Sequence, residues 1–425
     1  MKESGIDWIG QIPEEWEVKG IKHIFEEIGS GTTPKSDNET FYDGDINWIQ
    51  SGDLYQTDEV IKVSKTITYQ GFQSTSALKI YQQPFIALAM YGASVGNVAI
   101  SCIDACVNQA VVVMLGTSEK VRFGKYAIEA SKNNLIFSAQ GGTQPNISQN
   151  LIKNWNIPQP DSSEQTKIAD FLDKKTAQLD KVKALLEEQI QKLKDYRASL
   201  IYETVTKGLD KTVPVKGSGI DWIGQVPQGW GVKAIKYIFD EIGSGSTPKS
   251  DNEIFYDGDI NWIQSGDLYQ TDTVMSVSKT ISYQGFKSTS ALKIYQPPFV
   301  ALAMYGASVG NVAVSYIDAC VNQAVVVMLG TSEKVRFGKY AIEASKNNLV
   351  FSAQGGTQPN ISQNLIKNWS IPQPKNEEQE QIVDFLDKKT VQIEKLIQIK
   401  NQQIENVNKQ RQTLIYDYVT GKRRV

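Results

Sequence analysis

Five glycine-marked loops carry side chains able to make directional hydrogen bonds. "GSGTTPKS" (Gly29–Ser36) offers Ser30, Thr32, Thr33 and Lys35. "QSGDL" (Gln50–Leu54) offers Gln50 and Ser51, and "MYGASVGN" (Met90–Asn97) offers Tyr91, Ser94 and Asn97. "VNQ" (Val107–Gln109) adds Asn108 and Gln109, and "QGGTQPN" (Gln140–Asn146) adds Thr143 and Gln144. Amide side chains can read base edges through paired hydrogen bonds, and glycines let a backbone approach phosphates. The chemistry these residue types suit is recognition of nucleic acid. Taken singly, each loop is more simply an ordinary turn; five in one domain shift the reading toward recognition. Lys35, Lys65, Lys79, Arg122, Lys125 and Lys153 could supply phosphate contacts, although any single one of them reads more simply as a solvated surface cation.

The loops occur twice. Ser4–Pro160 aligns without a gap on Ser218–Pro374, 214 positions later, and differs at 20 of 157 positions. The second set of candidates is therefore Ser244, Ser246, Thr247, Lys249, Gln264 and Ser265. It continues with Tyr305, Ser308, Asn311, Asn322, Gln323, Thr357 and Gln358. A period this long is not that of a solenoid; each copy has the length of a whole domain.

Catalysis finds little support. The single histidine, His23, is Tyr237 in the second copy, so it forms no repeated dyad, and packing is its simplest role. "YQPPF" (Tyr295–Phe299) resembles a proline–aromatic methyltransferase motif, but the first copy reads "YQQPF" and no glycine-rich cofactor loop accompanies it. "GASVG" lacks the lysine of a phosphate loop. Asp43, Asp45, Asp53 and Asp104 have no lysine at nuclease spacing, and turn-capping accounts for them. No metal site is expected.

The elements that must position the loops are mostly strands. Ile46–Tyr55, Pro84–Met90, Asn97–Asp104 and Asn108–Gly116 are short apolar or alternating runs bounded by glycine, asparagine or proline. Lys120–Ala139 suits a helix. An α+β fold follows, with two near-identical β-rich recognition domains. After each copy the texture changes. Leu172, Leu179, Leu186, Leu193 and Leu200 fall seven apart, with Ile168, Val182 and Tyr196 as a companion row. This predicts a coiled-coil helix of roughly 40 residues, about 60 Å long, capped by Ser162 or Ser163. The second helix has Leu386, Ile393, Val407 and Leu414 on its seam, with Lys400 breaking the row and Ile382, Leu396 and Ile404 beside it. An antiparallel two-helix coiled coil between the copies would give the chain a pseudo-twofold. The expected domains are 1–160, 161–213 (long helix and linker), 214–374 and 375–425 (second long helix).

A net charge of −3 argues against holding nucleic acid by bulk charge alone. No apolar run approaches the 18 or so residues of a membrane span, and the N-terminus does not read as a signal peptide. Cys102, Cys106 and Cys320 form no disulfide framework, which suits reduced thiols in a cytoplasmic protein.

Over essentially its whole length the sequence resembles the specificity subunits of type I restriction–modification systems. The resemblance rests on "SGIDWIGQIPEEWEVKGIK", "GSGTTPKS", "INWIQSGDL", "MYGASVGNVAI", "NQAVVV" and "GGTQPNISQNLIKNWNIPQPDSSEQTKIADFLD", in that order and in a double layout. It implies a non-catalytic subunit whose two target-recognition domains each read half of a split site in double-stranded DNA. It implies two modification subunits as partners, which methylate adenine with S-adenosylmethionine, a cofactor this chain does not itself bind. Restriction subunits that cleave unmethylated DNA can join. A rod of about 60 Å would span roughly 18 base pairs at 3.4 Å rise. Because the two copies are nearly the same, the split site is expected to be palindromic or nearly so. A protein-interaction scaffold that reads no DNA is the alternative.

Overall fold

A computed structural model describes residues 1–139, 146–353 and 360–425. The chain forms two compact units. One comprises Met1–Leu186 with Asn401–Val425, the other Glu187–Lys400.

In the first unit β1 (Glu27–Ser30), β2 (Tyr42–Ile49), β3 (Glu59–Val60), β4 (Phe85–Ala89), β5 (Val98–Ser101), β6 (Cys106–Val107) and β7 (Val111–Leu115) precede α1 (Ser118–Phe137). The central sheet runs β1-β7-β4-β5-β3, antiparallel except where β3 lies parallel to β5. A smaller sheet has β2 at its centre, flanked by β6 and by Thr66–Ile67. The apolar runs "FIALA" and "VVVML" are uninterrupted because both faces of the central sheet are covered. Ile86, Leu88, Val112 and Met114 face one core with Val121, Phe123 and Ala127 of α1. Phe85, Ala87, Val111 and Val113 face another with Ile49 and Val107 of the smaller sheet.

The second unit repeats this plan with β8 (Glu241–Ser244), β9 (Tyr256–Ile263), β10 (Thr273–Val274), β11 (Phe299–Ala303), β12 (Val312–Ser315), β13 (Cys320–Val321), β14 (Val325–Leu329) and α3 (Ser332–Ala344). Its central sheet runs β8-β14-β11-β12-β10.

Two long helices, α2 (Ser162–Lys207, 46 residues) and α4 (Asn376–Val419, 44 residues), are each divided between the units. Within each unit their segments run antiparallel. In the first, Phe171 lies 4.4 Å from Tyr418 between ring centroids, and Asp180 lies 3.5 Å from Arg411. In the second, Lys400 Nζ donates to Gln189 Oε1 at 2.5 Å, and Arg197 Nε lies 3.7 Å from Glu394. Asp161, rather than Ser162 or Ser163, caps α2: its Oδ1 accepts from Glu164 N at 2.8 Å.

The seam residues Leu172, Leu386 and Ile393 are buried, and Leu179, Leu186, Leu193, Leu200, Val407 and Leu414 half-buried. The companion row is inward only in part: Ile168 and Ile382 are buried and Ile404 half-buried. Val182, Tyr196 and Leu396 are exposed. The second inward row of α2 runs through Ala169, Thr176, Ile190 and Thr204, all buried, and the half-buried Arg197. Of its polar members, Thr176 Oγ1 donates to Leu172 O at 2.8 Å, and Arg197 bonds Glu343 and Asp272. Ile168 and Leu172, with Ile415 and Val419 of α4, belong to the α1-side core of the first unit.

An ionic cluster fastens α4 to the first recognition domain. Arg411 bonds Glu129, and its Nη2 donates to Asp58 at 2.6 Å. Lys125, 2% exposed, donates to Asp58 at 2.5 Å and Glu129 at 2.8 Å. In the second unit Arg197 of α2 takes the equivalent place, bonding Glu343 and Asp272, with Lys339 alongside. Among the described residues no helix is long and apolar enough to cross a membrane.

Candidate nucleic-acid interface

Strand register gathers the polar loops at one end of the central sheet. Ser30, the last residue of β1, pairs with Val112, and Ala89, the last of β4, pairs with Val111. The loops after β1 and after β4 and the turn before β7 therefore share one edge. Asn108 N donates to Ile49 O at 3.0 Å, which brings Gln50 and Ser51 to the same place. Ile147 N donates to Met90 O at 2.8 Å, so the chain also returns here after residues 140–145.

An open cavity of about 540 Å³ lies among these loops in the first unit. Tyr42 and Trp48 line it, with the hydroxyls of Thr33, Ser36 and Ser64. Gln50 and Asn108 add amides, and Asp43 and Lys65 add one charge of each sign. The aromatic walls are fixed: Tyr42 Oη donates to Pro34 O at 2.8 Å, and Trp48 Nε1 donates to Thr32 O at 3.2 Å. Burial, with help from Asp37, pushes the Tyr42 hydroxyl above its ordinary pKa, so it stays a donor. All nine lining residue types recur at the equivalent positions of the second copy. The matching anchors recur too, Tyr256 to Pro248 O at 2.7 Å and Trp262 to Ser246 O at 3.2 Å.

The candidate residues fall into two groups. Thr33, Gln50 and Asn108 line the cavity; Gln109 joins them by accepting from Thr33 Oγ1 at 2.6 Å. Ser30, Thr32, Lys35 and Ser51 lie on the same loops, and the second unit places Ser244, Ser246, Thr247, Lys249, Gln264, Ser265, Asn322 and Gln323 likewise. Tyr91, Ser94 and Asn97 belong to the loop over α1 and do not line the cavity. Ser94 is 6% exposed, burial raises the Tyr91 pKa, and Asn97 Oδ1 accepts from Lys132 Nζ at 2.6 Å. Tyr305, Ser308 and Asn311 repeat this arrangement. Thr143, Gln144, Thr357 and Gln358 lie outside the described residues.

The amides offer mainly donors. The carbonyl oxygens of Asn97, Asn108 and Gln109 already accept from Lys132, Ala110 N and Thr33. Gly31 serves packing, because a Cβ there would collide with the carbonyl oxygen of Val107.

Several candidate phosphate contacts are consumed inside the fold. Lys79 pairs with Glu27 at 2.6 Å, Arg122 with Asp170 and Asp173, and Lys125 is buried. Lys35 and Lys65 are exposed and form no ion pair among the described residues. Asp53 and Asp104 act as turn caps, accepting from Gln50 N at 2.8 Å and Gln83 N at 3.0 Å. His23 is exposed rather than packed. Both aromatics of the methyltransferase-like motif, Tyr295 and Phe299, are buried, and Tyr295 donates to Ser244 O at 2.8 Å. Burial pushes the thiols of Cys106 and Cys320 up to about 12. No cluster of metal-ligating side chains occurs among the described residues. Sequence reasoning passed over Tyr42, Trp48, Ser36 and Ser64, since nothing local shows that four separate segments share one cavity.

The family model for the type I restriction modification DNA specificity domain matches residues 13–194 and 227–409. The MjaIX specificity subunit of a type I restriction enzyme from Methanocaldococcus jannaschii is 25% identical over 98% of this chain and 95% of its own length. The MjaVIII specificity subunit from the same organism is 24% identical over 98% and 94%. A chain solved in a study of complex assembly and conformational transition of the type I R-M system superposes with a TM-score of 0.72. It is 17% identical and covers 96% of this chain and 98% of its own. The HsdS subunit from Thermoanaerobacter tengcongensis superposes with a TM-score of 0.50, at 16% identity over 97% and 98%.

Proposed function

The chain belongs to the family of type I restriction modification DNA specificity domains, and on that premise we propose that it is the non-catalytic, DNA-reading subunit of a type I restriction–modification complex. Each recognition domain reads one half of a split site in double-stranded DNA. Modification subunits carry S-adenosylmethionine and methylate adenine, with or without restriction subunits in the same assembly. The observation that carries this reading is the cavity end of the sheet, where polar loops from four separate segments converge and whose lining is unchanged between copies.

That identity bears on the target. Two domains with one set of lining residues read one short sequence twice, and antiparallel helices favour inverted rather than direct halves. The site is then palindromic or nearly so, with α2 and α4 setting the spacer. A net charge of −3 is compatible with this, since base and shape readout add to backbone attraction and partner subunits can supply cations.

The test is a genome-wide map of N6-methyladenine in cells expressing this chain with its modification subunit. The expected result is a split motif whose halves are inverted copies. A split but asymmetric motif would keep the DNA-reading role and remove the symmetry. No new methylation, with the modification subunit active beside another specificity subunit, would favour a scaffold that reads no DNA.

A further inference from the structure

Asp43 stands in the left-handed region, with φ of 59°, at an irregularity in the pairing of β2 with Thr66–Ile67. Asp257 repeats it at 55°. The following Gly44 has no room for a side chain, since a Cβ would lie 2.5 Å from Thr68 Cα. Non-glycine residues adopt this conformation at a cost, aspartate and asparagine more readily than most. The backbone thus holds the Asp43 carboxylate on the cavity wall, and Asp257 repeats the conformation in the second copy.

Asp43 and Lys65 both line the cavity, yet they do not pair with each other or with any other described residue. Asp53, Asp58 and Asp104 behave differently; each is engaged by the fold. So the cavity presents one anionic acceptor and one cationic donor, both unspent. Asn108, its acceptor taken by Ala110 N, adds a further donor.

In the major groove a G·C pair presents two acceptors on guanine, N7 and O6, beside one donor, the N4 amino group of cytosine. A lone carboxylate cannot satisfy the adjacent acceptors of a guanine, and a lysine cannot accept from an amine. A lysine–aspartate set complements a G·C pair. We propose, resting on the DNA-reading assignment above, that this cavity reads a G·C pair in each half-site: Lys65 donates to guanine and Asp43 accepts from cytosine N4, with Lys279 and Asp257 doing the same in the other half.

The methylation map tests this with two double variants of the full chain, each in complex with its modification subunit. Asp43→Asn with Asp257→Asn keeps shape and tolerance of the left-handed conformation. Lys65→Ala with Lys279→Ala removes the donor. The unaltered complex should show a fixed G·C pair in each half. In the lysine variant discrimination at that pair should fall roughly 5- to 150-fold, the range for one good base contact, and in the asparagine variant, whose amide oxygen still accepts, by a smaller factor, while other positions keep their preference. Half-sites without a fixed G·C pair would overturn the proposal. So would unchanged specificity in both variants, or a uniform fall at all sites in variants whose melting temperature is unchanged, which is the signature of a backbone contact. Absence of any sequence-dependent methylation by the unaltered complex would overturn both this proposal and the DNA-reading assignment, and so is distinguishable from the other outcomes.

Discussion

Arg411 and Arg197 each hold a guanidinium among carboxylates from a recognition domain. For Arg411 burial works against the charge, and Glu129 and Asp58 overcome it, so its pKa rises. For Asp58 burial works to raise the pKa, and Lys125 and Arg411 outweigh it, so the carboxyl sits below its ordinary 3.8. Asp272 is lowered by Lys339 and Arg197 in the same way. A carboxyl with a depressed pKa takes up its proton less readily folded than unfolded. Its stabilisation is complete above the ordinary value and is lost as pH falls below about 3.8 through the folded value. Arg411→Met should lower the stability of the first unit by about 1.5–3 kcal/mol, the worth of hydrogen bonds to charged groups. It should also flatten the acid limb of the pH–stability curve, and calorimetry across pH 2–6 checks both. Arg411→Lys should rescue only in part, because an ammonium lacks the planar fork. None of this was legible in sequence. Lys125 and Arg122 read as candidate phosphate contacts because the partners Asp58 and Asp173 lie 67 and 51 residues away. The hydroxyl and amide residues of the cavity loops were legible, since glycine-bounded polar runs between apolar strands mark loop ends directly.

The long helices were legible as helices and as an antiparallel pair. The leucine seam lies inward along its length, but the row beside it lies inward only at Ile168, Ile382 and Ile404. Apolar periodicity marks apolar companions, whereas the inward row of α2 also carries Thr176, bonded to the backbone, Arg197, bonded to domain carboxylates, and Thr204. Apolar Val182, 44% exposed, and Tyr196, 53% exposed, drew the eye instead. Leu172→Ala, at a fully buried position in the domain core, should cost about 2–5 kcal/mol. Val182→Ala should fall within about 0.5 kcal/mol of the unaltered protein. Equal costs in denaturant titration would restore the sequence-based row. The strands were the easier part, because doubly covered strands read as plain apolar runs; the bulge that seats Asp43 was not, because "DGD" looks like any turn.

At the scale of the molecule, the duplication was plain from two runs of letters, but the composition of each compact unit was not. The first unit takes its last stretch, Asn401–Val425, from the far end of the chain. There Ile415 and Val419 are almost fully buried. Deleting 401–425 should cost the first unit at least about 3 kcal/mol, from the lost burial of those two side chains alone. Hydrogen exchange should rise in β4 and β7 and stay unchanged in β11 and β14; equal loss in both sets would mean that the units do not fold separately. The same feature inverts the order of birth and maturity. Glu187–Lys400 is continuous, so the later-made unit holds every residue it needs first. The earlier-made unit waits on a contact such as Asp58 to Arg411, 353 residues apart. At ribosomal speeds of 5–20 residues per second that wait is roughly 18–70 s. Through it the nascent chain carries an unsealed core, a natural client for a chaperone until Asn401–Val425 docks.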